Sequence, residues 1–405
     1  MTDNVFQLSC QCNNYPWGKK GQESLAAKLC EKTPGTGFEL DNGKEYAEMW
    51  MGDYPDLPTK SLKTGELLET ILTKNKEILL GKNCIEKFGT QLPFLPKILS
   101  IQKALPLQIH PNKDLASRLH QENPEQFTDD NHKPEIAIAL SRFEAFAGWK
   151  PLSEVQTLFK LQPLQRFLAR TYTTFGDETL RSVTQAILEA SDEVIAETQK
   201  ALAAISREEY GEQAYILDLL PRLQQQYSQE DPGNLVALLC MNYMDLSPGE
   251  SIYIPADGIH AYLSGDIIEC MARSNNVLNT GFCPTADRDN IKLFTSSLTF
   301  STHSVEDMLL KSKPSPRSGK GKSLEYAPPM SEFNMLRTVL GKDEMEIIRA
   351  VDGPMVMLVT SGNGSMKADG KIHDIKEGYV FFIGQGVELV YETETGLEVY
   401  AAYAE

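Results

Sequence analysis

Two stretches of the chain, LSPGESIYIPADGIHAY (residues 246–262) and IKEGYVFFIGQGVELVY (residues 375–391), repeat one pattern at an offset of 129 positions. Each stretch has a glycine turn, an alternating apolar run and a second turn of small residues, which is typical of β-hairpins. The repeat therefore predicts two related antiparallel β-barrel or sandwich domains. The copies differ where a metal ligand could sit, because His260 of the first copy corresponds to Leu389 of the second.

The rest of the chain changes from strand-like to helix-like segments and back. Short apolar runs broken by Gly, Pro and Asn precede residue 150, whereas apolar residues recur at three and four positions between 153 and 228. The sequence thus predicts a mainly β protein with an inserted α-helical domain. The expected division is a catalytic β domain, first part, at 1–150; a helical insertion domain at 151–230; the second part of the catalytic domain at 231–310; a basic linker or loop at 311–330; and a C-terminal β domain without metal ligands at 331–405.

Composition excludes several classes of partner. The 405 residues carry a formal net charge of −17, which argues against a nucleic acid or an anionic membrane surface as the partner. The basic segment at 311–330 could attract a polyanion, but a solvated loop is the simpler interpretation. The seven cysteines show no paired CxxC spacing, so we expect reduced thiols. With no long apolar run and no leader pattern, we expect a cytoplasmic protein.

A candidate metal site comes from three predicted strands. In LPLQIHPNK (105–113), Gln108 and His110 are two positions apart and therefore share one face of a strand. In DDNHKPEIAIAL (129–140), the proline favours an extended chain, so Glu135 points the same way as the small side chains of Ala137 and Ala139. With His260, these residues offer two imidazole nitrogens and two oxygens, a suitable set for Zn²⁺.

Each of these residues also has an ordinary interpretation. His260 alone could be a hydrogen-bonded core histidine, and Gln108 alone could be a surface residue. Lys133 and Glu135 could form a solvated ion pair worth less than about 1 kcal/mol. Spacing by itself leaves these alternatives open.

The motifs together identify a family resemblance. The chain resembles the type I mannose-6-phosphate isomerases, which are zinc-dependent enzymes of the cupin superfamily. The matching segments follow the family's order along the chain and are YPWGKKG (15–21), YAEMWMGDYP (46–55), PFLPKILSIQKALPLQIHPNK (93–113), DDNHKPEIAIAL (129–140) and IPADGIHAYLSGDIIECMARSNNVLNTGF (254–282). The resemblance implies two cupin-like domains and one zinc ion per chain, held by Gln108, His110, Glu135 and His260.

The resemblance also implies an activity. The family interconverts mannose 6-phosphate and fructose 6-phosphate by proton transfer through a cis-enediol, a reaction that supplies mannose for GDP-mannose and glycosylation. The residues implied as catalytic are Lys133, Glu269 and His132. The residues assigned to substrate binding are Trp17, Lys97, Asn279, Arg273 and Arg288. We expect a monomer whose partner is a small sugar phosphate.

The phosphate pocket departs from the family pattern. Pro106, Asn279 and Thr285 stand where the family has a serine, an arginine and a lysine. A charge-assisted contact contributes about 1.5–3 kcal/mol, so two lost cations weaken phosphate binding unless other cations, such as Arg273, Arg288, Lys97 or Lys292, replace them. Two alternatives therefore remain open: a zinc cupin acting on a different or unphosphorylated sugar, and a non-catalytic sugar-sensing paralogue.

Overall fold

The repeat in the sequence is a repeat of strands in the structure. The computed structural model describes residues 3–168, 175–329 and 332–405. The strand Ser251–Ile254 and the strand Val380–Ile383 lie 129 positions apart, and the long strands that follow them, His260–Ala272 and Leu389–Tyr403, begin at the same offset. The hairpin predicted from the repeated stretches is thus present in both halves.

The strands form two large antiparallel sheets. In chain order the strands are β1 Val5–Ser9, β2 Gln11–Asn13, β3 Lys19–Lys20, β4 Glu45–Tyr46, β5 Glu48–Trp50, β6 Lys60–Ser61, β7 Phe94–Ile101, β8 Leu107–Ile109, β9 Glu135–Ala139, β10 Phe143–Trp149, β11 Met241–Leu246, β12 Ser251–Ile254, β13 His260–Ala272, β14 Leu278–Gly281, β15 Lys313–Pro314, β16 Ser323–Tyr326, β17 Asn334–Leu340, β18 Glu344–Ile348, β19 Met355–Ala368, β20 Lys371–Lys376, β21 Val380–Ile383 and β22 Leu389–Tyr403.

The first sheet follows the order β11-β10-β13-β7-β5-β2, with β8 and β9 also on β13, β12 on β9 and β14 on β8. The second sheet follows the order β15-β16-β17-β22-β19-β21-β1-β6, with β18 on β22 and β20 on β19. Neither order closes into a ring among the described residues. β3 and β4 form a separate short ladder.

Helices occupy the segment between the two parts of the first sheet. The α-helices are α1 Leu25–Lys32, α2 Leu68–Leu79, α3 Lys82–Phe88, α4 Lys113–Glu122, α5 Leu152–Leu158, α6 Asp177–Leu188, α7 Asp192–Ala203, α8 Arg207–Tyr210, α9 Ile216–Gln226, α10 Gly233–Cys240, α11 Ile291–Ser297 and α12 Val305–Met308. Short 3-10 helices lie at Gly21–Glu23, Gln162–Phe167, Gly211–Gln213 and Thr285–Asp287. The helices from α5 to α10 pack on one continuous apolar core with the edge of the first sheet.

The two faces of the first sheet have different roles. On β9, Ile136 and Ile138 point into a core shared with Val356 and Phe382 of the second sheet. Because side chains alternate along a strand, Glu135 and its small neighbours at 137 and 139 point to the opposite face. All residues of β9 are buried. The second sheet covers one face of β9, and the opposite face carries the polar side chain of Glu135.

Strand register brings distant residues together on that second face. Across β8 and β13, Gln108 is the partner of His260, and across β7 and β13, Lys97 is the partner of Glu269. Residues directly opposite each other in an antiparallel ladder point to the same side of the sheet. Long-range pairing therefore collects the charged residues around β13.

The N-terminal and basic segments join the second sheet. β1 pairs with β21, although it lies in the segment 1–150 that the sequence predicts as the first part of the catalytic domain. Within the basic segment, β15 and β16 pair with each other and β16 pairs with β17. The loop between β15 and β16 is held by the fully buried Glu346, which accepts hydrogen bonds from the backbone of Lys320 and Lys322. All seven cysteines are free thiols, and six of them are buried. No helix in the described ranges is both long and apolar enough to span a bilayer.

Candidate metal centre and active site

Three ligand-type side chains converge on the polar face of the first sheet. Donor atoms of His110, Glu135 and His260 all lie within 4.8 Å of one another. Nε2 of His110 is 3.3 Å from Oε1 of Glu135, and Nε2 of His260 is 3.7 Å from Oε2 of the same carboxylate. The two histidines are 0% exposed and Glu135 is 2% exposed. A carboxylate and two imidazoles are thus enclosed together without water access.

The backbone hydrogen bonds of the two histidines use Nδ1 and leave Nε2 of each ring as an acceptor. Nδ1 of His110 donates to the backbone oxygen of Asn276 at 2.8 Å, and Nδ1 of His260 donates to that of Gly258 at 3.0 Å. Each ring then has a lone pair on Nε2. Nε2 of His110 and Oε2 of Glu135 are buried and lack a hydrogen-bond partner among the described residues. Buried acceptors without donors are costly unless a cation satisfies them, so this donor set fits a divalent metal.

Gln108 completes the set. Its amide lies 3.0 Å from Nε2 of His260, on the strand pair that the register of β8 and β13 defines. An amide carries both a donor nitrogen and an acceptor oxygen, so the same side chain supplies an oxygen ligand when the amide is turned. Three nitrogen and oxygen donors from the buried cluster and one amide oxygen match the preference of Zn²⁺.

The electrostatics keep these groups ready to bind a cation. Burial lowers the pKa of His260 to about 4, and burial together with the nearby Lys133 lowers the pKa of His110. Burial alone would raise the pKa of Glu135, but Lys133 and His110 outweigh it, and that pKa lies well below its ordinary value. Both histidines are therefore neutral and the carboxylate is ionised at neutral pH.

Of the two predicted catalytic residues on the loop before β9, Lys133 lies beside this cluster. Nζ of Lys133 is 3.2 Å from Oε1 of Glu135. Nε2 of His132 is 2.7 Å from Oε1 of Glu332, a residue of the segment that enters the second sheet. The structure thus brings Lys133 to the metal cluster and ties His132 to the other half of the molecule.

Glu269 belongs to a buried row of charges that crosses three strands. Nζ of Lys97 is 3.3 Å from Oε2 of Glu269 and 3.9 Å from Oε2 of Glu48. The indole nitrogen of Trp50 donates to Glu48 at 2.5 Å, and Lys97 lies 5.0 Å from the centre of the Trp50 ring. Lys97, which sequence analysis assigned to substrate binding, is thus held between two carboxylates.

The other predicted substrate-binding residues lie further from the cluster or have internal partners. Trp17 packs on the apolar core that contains Ala137 and Ala139 of β9. Asn279 faces Gln108 across β8 and β14, and its Oδ1 is buried with no partner among the described residues. Arg273 forms an ion pair with Asp53. Arg288 also has an internal partner, because it lies 3.0 Å from the buried Asp231.

Sequence reasoning missed several residues of this site. Glu48 and Trp50 lie in a quoted motif, and their spacing of two could have placed them on one face of a strand. The hydroxyl of Tyr262, two positions after His260, is buried without a partner in the part of the chain that the structure describes. Asp129 and Asn276 are connected to the site through hydrogen bonds of their backbone and side chains. No local sequence pattern predicts these hydrogen bonds.

The two antiparallel sheets and the buried donor set define a cupin-like protein with one candidate divalent-metal centre. A family model described as phosphomannose isomerase type I, catalytic domain, matches residues 5–152. A mannose-6-phosphate isomerase of Schizosaccharomyces pombe is 37% identical over 421 residues, covering 99% of this chain and 100% of that protein. The chain belongs to the type I phosphomannose isomerase family.

Further relatives agree over the full length. A mannose-6-phosphate isomerase of Saccharomyces cerevisiae is 35% identical and covers 100% of both chains. A zinc-bound crystal structure of a mannose 6-phosphate isomerase superposes with a TM-score of 0.82 at 23% identity, covering 100% of both chains. The metal-free form of the Salmonella typhimurium enzyme superposes equally well, with a TM-score of 0.82. The fold is thus shared from end to end.

Proposed function

We propose that this protein is a zinc-dependent aldose–ketose isomerase that interconverts mannose 6-phosphate and fructose 6-phosphate. The observation that carries the proposal is the intact buried donor set in a chain that matches mannose-6-phosphate isomerases over its whole length. The zinc ion would be held by Gln108, His110, Glu135 and His260. Bound zinc supplies a Lewis acid that stabilises negative charge on sugar oxygens.

Proton transfer between C1 and C2 is assigned to Glu269. Burial, with the carboxylate of Glu135 adding to it and Lys97 opposing it, raises the pKa of Glu269 to about 7. A group with that pKa is partly ionised at neutral pH, so it can take a proton from C2 of the open-chain sugar and return it to C1. Lys97 holds the carboxylate in place from the neighbouring strand.

The loop before β9 supplies the remaining groups. The ammonium of Lys133 stabilises negative charge on the sugar oxygens as the enediol forms and can donate a proton there. His132, held through Nε2 by Glu332, assists ring opening by moving a proton between the ring oxygen and the anomeric oxygen. Ala137 and Ala139, on the same face of β9 as Glu135, pack in the apolar core beside the site.

The phosphate end of the substrate is assigned to a neighbouring cleft of about 640 Å³. Its wall includes Asn131, next to His132, and Asn275, next to the carbonyl that accepts from His110. Lys113 and Arg273 line it and supply positive charge. Lys113 is favoured over Arg273 and Arg288, because Asp53 holds Arg273 and Asp231 holds Arg288. Lys113 would compensate in part for the cations missing at Asn279 and Thr285.

Several finer assignments accompany this proposal. We propose a monomer located in the cytoplasm, in support of which all seven cysteines are free thiols. The division into a catalytic domain at 1–150 and 231–310, a helical domain at 151–230, a linker at 311–330 and a second domain at 331–405 is retained as a proposal, except that β15 and β16 of the linker segment are assigned to the second sheet. A different sugar substrate and a non-catalytic sensor are not favoured, because relatives that match end to end are mannose-6-phosphate isomerases.

An assay of the purified chain tests the function. The zinc-loaded protein is given mannose 6-phosphate, and fructose 6-phosphate is measured with a coupled reaction, with free mannose as the comparison substrate. We expect turnover of the phosphate ester that is lost with a chelator and restored by zinc. His260→Ala should abolish it, whereas His303→Ala, which changes an exposed histidine, should not. Turnover of free mannose alone, or none with bound zinc, would refute the proposal.

A further inference from the structure

The loop that carries His132 and Lys133 is fixed at its start by one carboxylate. Oδ1 of Asp129 accepts from the hydroxyl of Ser274 at 2.7 Å and from the backbone of Asn131 at 3.0 Å. Oδ2 of Asp129 accepts from the backbone of Asn275 at 2.8 Å. Both carboxylate oxygens are thus used, and two of their partners, Ser274 and Asn275, lie in the connection between β13 and β14.

The same connection holds a metal ligand. The side-chain nitrogen of Asn276 donates to the backbone oxygens of Asp129 at 2.8 Å and Asn131 at 3.1 Å. The backbone oxygen of Asn276 in turn accepts from Nδ1 of His110 at 2.8 Å. One residue therefore links the loop to the ring whose other nitrogen belongs to the donor set.

Two members of the network are buried. Ser274 is 2% exposed and Asn276 is 1% exposed, whereas Asp129 is half-buried at the wall of the neighbouring cleft. Hydrogen bonds to an ionised acceptor are roughly twice as strong as neutral ones. A change in Asp129 should therefore shift both the loop and the carbonyl that orients His110.

We propose that Asp129 is a positioning residue that sets the orientation of the metal ligand His110, through Asn276, and the place of Lys133 on its loop. The effect on turnover rests on the proposed function, whereas the effect on metal binding does not. Groups that orient a ligating histidine commonly change metal affinity 10- to 100-fold when they are altered. The metal site and the loop are then coupled through one carboxylate.

The test compares Asp129→Asn with Asp130→Asn. Asparagine keeps the size but places an NH₂ group where an oxygen now accepts, so one of the donors at Ser274 or Asn275 loses its acceptor. Asp130 is the adjacent exposed aspartate and serves as the matched control. The zinc Kd is measured by competition with a chromogenic chelator, and the visible absorption of the cobalt-loaded protein reports the ligand geometry.

We expect Asp129→Asn to raise the zinc Kd about tenfold or more and to change the cobalt spectrum, with kcat lowered even at saturating zinc. Asp130→Asn should match the wild type in the zinc Kd and in the cobalt spectrum. An unchanged zinc Kd and cobalt spectrum in Asp129→Asn would overturn the proposal, whatever the activity. Because neither measurement needs a sugar, this outcome is distinct from failure of the isomerase assignment.

A milder variant covers the case in which Asp129→Asn does not fold. Ser274→Ala removes one hydrogen bond to the carboxylate and leaves its charge in place. We expect a smaller increase in the zinc Kd, roughly threefold, with the same direction of change in the cobalt spectrum. Wild-type values for both in a folded Ser274→Ala would overturn the proposal in that case.

Discussion

Nζ of Lys97 lies 3.3 Å from Oε2 of Glu269, and the two residues face each other across the ladder of β7 and β13. Glu48 lies on the far side of the same ammonium, at 3.9 Å. One cation thus separates two buried carboxylates on the polar face of the first sheet. This arrangement leaves the ionisation of Glu269 sensitive to each of its charged neighbours, which are Glu48, Lys97, Glu135 and Lys133.

The first prediction concerns this pair. Glu269 acts as a base only when it is ionised, so kcat/KM should rise as pH increases through about 7. Lys97→Met removes the cation that opposes the raised pKa of Glu269. The rise in kcat/KM should therefore occur at higher pH, and activity at pH 7 should fall. Lys63→Met, which changes a surface lysine paired with Asp3, is the control. A pH profile of kcat/KM that is unchanged in Lys97→Met would contradict the assignment of Glu269.

The second prediction concerns metal binding and stability. Zinc binds the folded donor set, so at 100 times its Kd it should add about 2.7 kcal/mol to the free energy of unfolding. Thermal unfolding with and without zinc measures this, and His260→Ala should remove the difference. Because the pKa of His260 is lowered to about 4, protons should compete little for that ring between about pH 8 and 6. A zinc Kd that weakens steeply over that interval would be the contrary result.

The third prediction concerns a buried lysine outside the site. Lys150 is 2% exposed, donates to the backbone oxygen of Leu238 at 2.6 Å, and has a pKa that burial lowers to about 7. The unfolded chain holds its proton up to about pH 10.4. The unfolded state therefore binds more protons between about pH 7 and 10, and the free energy of unfolding rises with pH over that interval, by up to about 5 kcal/mol.

Lys150→Met should flatten this rise and stabilise the protein at pH 7. The gain in the free energy of unfolding is reduced by about 1–3 kcal/mol, because the carbonyl of Leu238 loses its donor. Chemical denaturation at several pH values measures the slope. Lys160→Met, at an exposed position in the same segment, should keep the wild-type slope. If the free energy of unfolding still rises with pH by the same amount in Lys150→Met, Lys150 is not the group whose titration causes the rise.

The fourth prediction concerns the contact between His132 and Glu332. Glu332→Ala removes the acceptor that holds Nε2 of His132, so kcat should fall about tenfold if ring opening depends on the orientation of that imidazole. Glu332→Gln retains an oxygen acceptor and should lose less. Glu388→Ala, at an exposed site of the second sheet, is the control. Equal kcat values in Glu332→Ala and the wild type would remove His132 from the mechanism.

The fifth prediction concerns the phosphate cleft. Lys113→Ala should raise KM for mannose 6-phosphate about 10- to 100-fold with less effect on kcat, because a cation that contacts the phosphate binds substrate and transition state alike. Lys82→Ala changes another exposed lysine and should leave KM unchanged. Initial rates across a range of substrate concentrations separate the two constants. A normal KM in Lys113→Ala would place the phosphate elsewhere.

Local patterns in the sequence predicted much of the donor set. The spacing of Gln108 and His110 indicated one face of a strand, and the run after Pro134 indicated that Glu135 shares a face with small residues. His260 was singled out by its difference from Leu389 in the repeat. The structure brings His110, Glu135 and His260 within 4.8 Å of one another. Local spacing could place these side chains on shared faces because a strand has a two-residue period. Their role as zinc ligands stays a prediction.

The sequence by itself determined the strand repeat, the helical insertion and, through the family motifs, the residues able to hold a metal. Only the tertiary structure decided that Lys97 lies between Glu48 and Glu269, that Arg288 is held by Asp231, and that Asn276 links Asp129 to His110. The physical reason is that these contacts join positions from 49 to 172 residues apart. Their geometry depends on strand register and on the packing of connections, which no local pattern specifies.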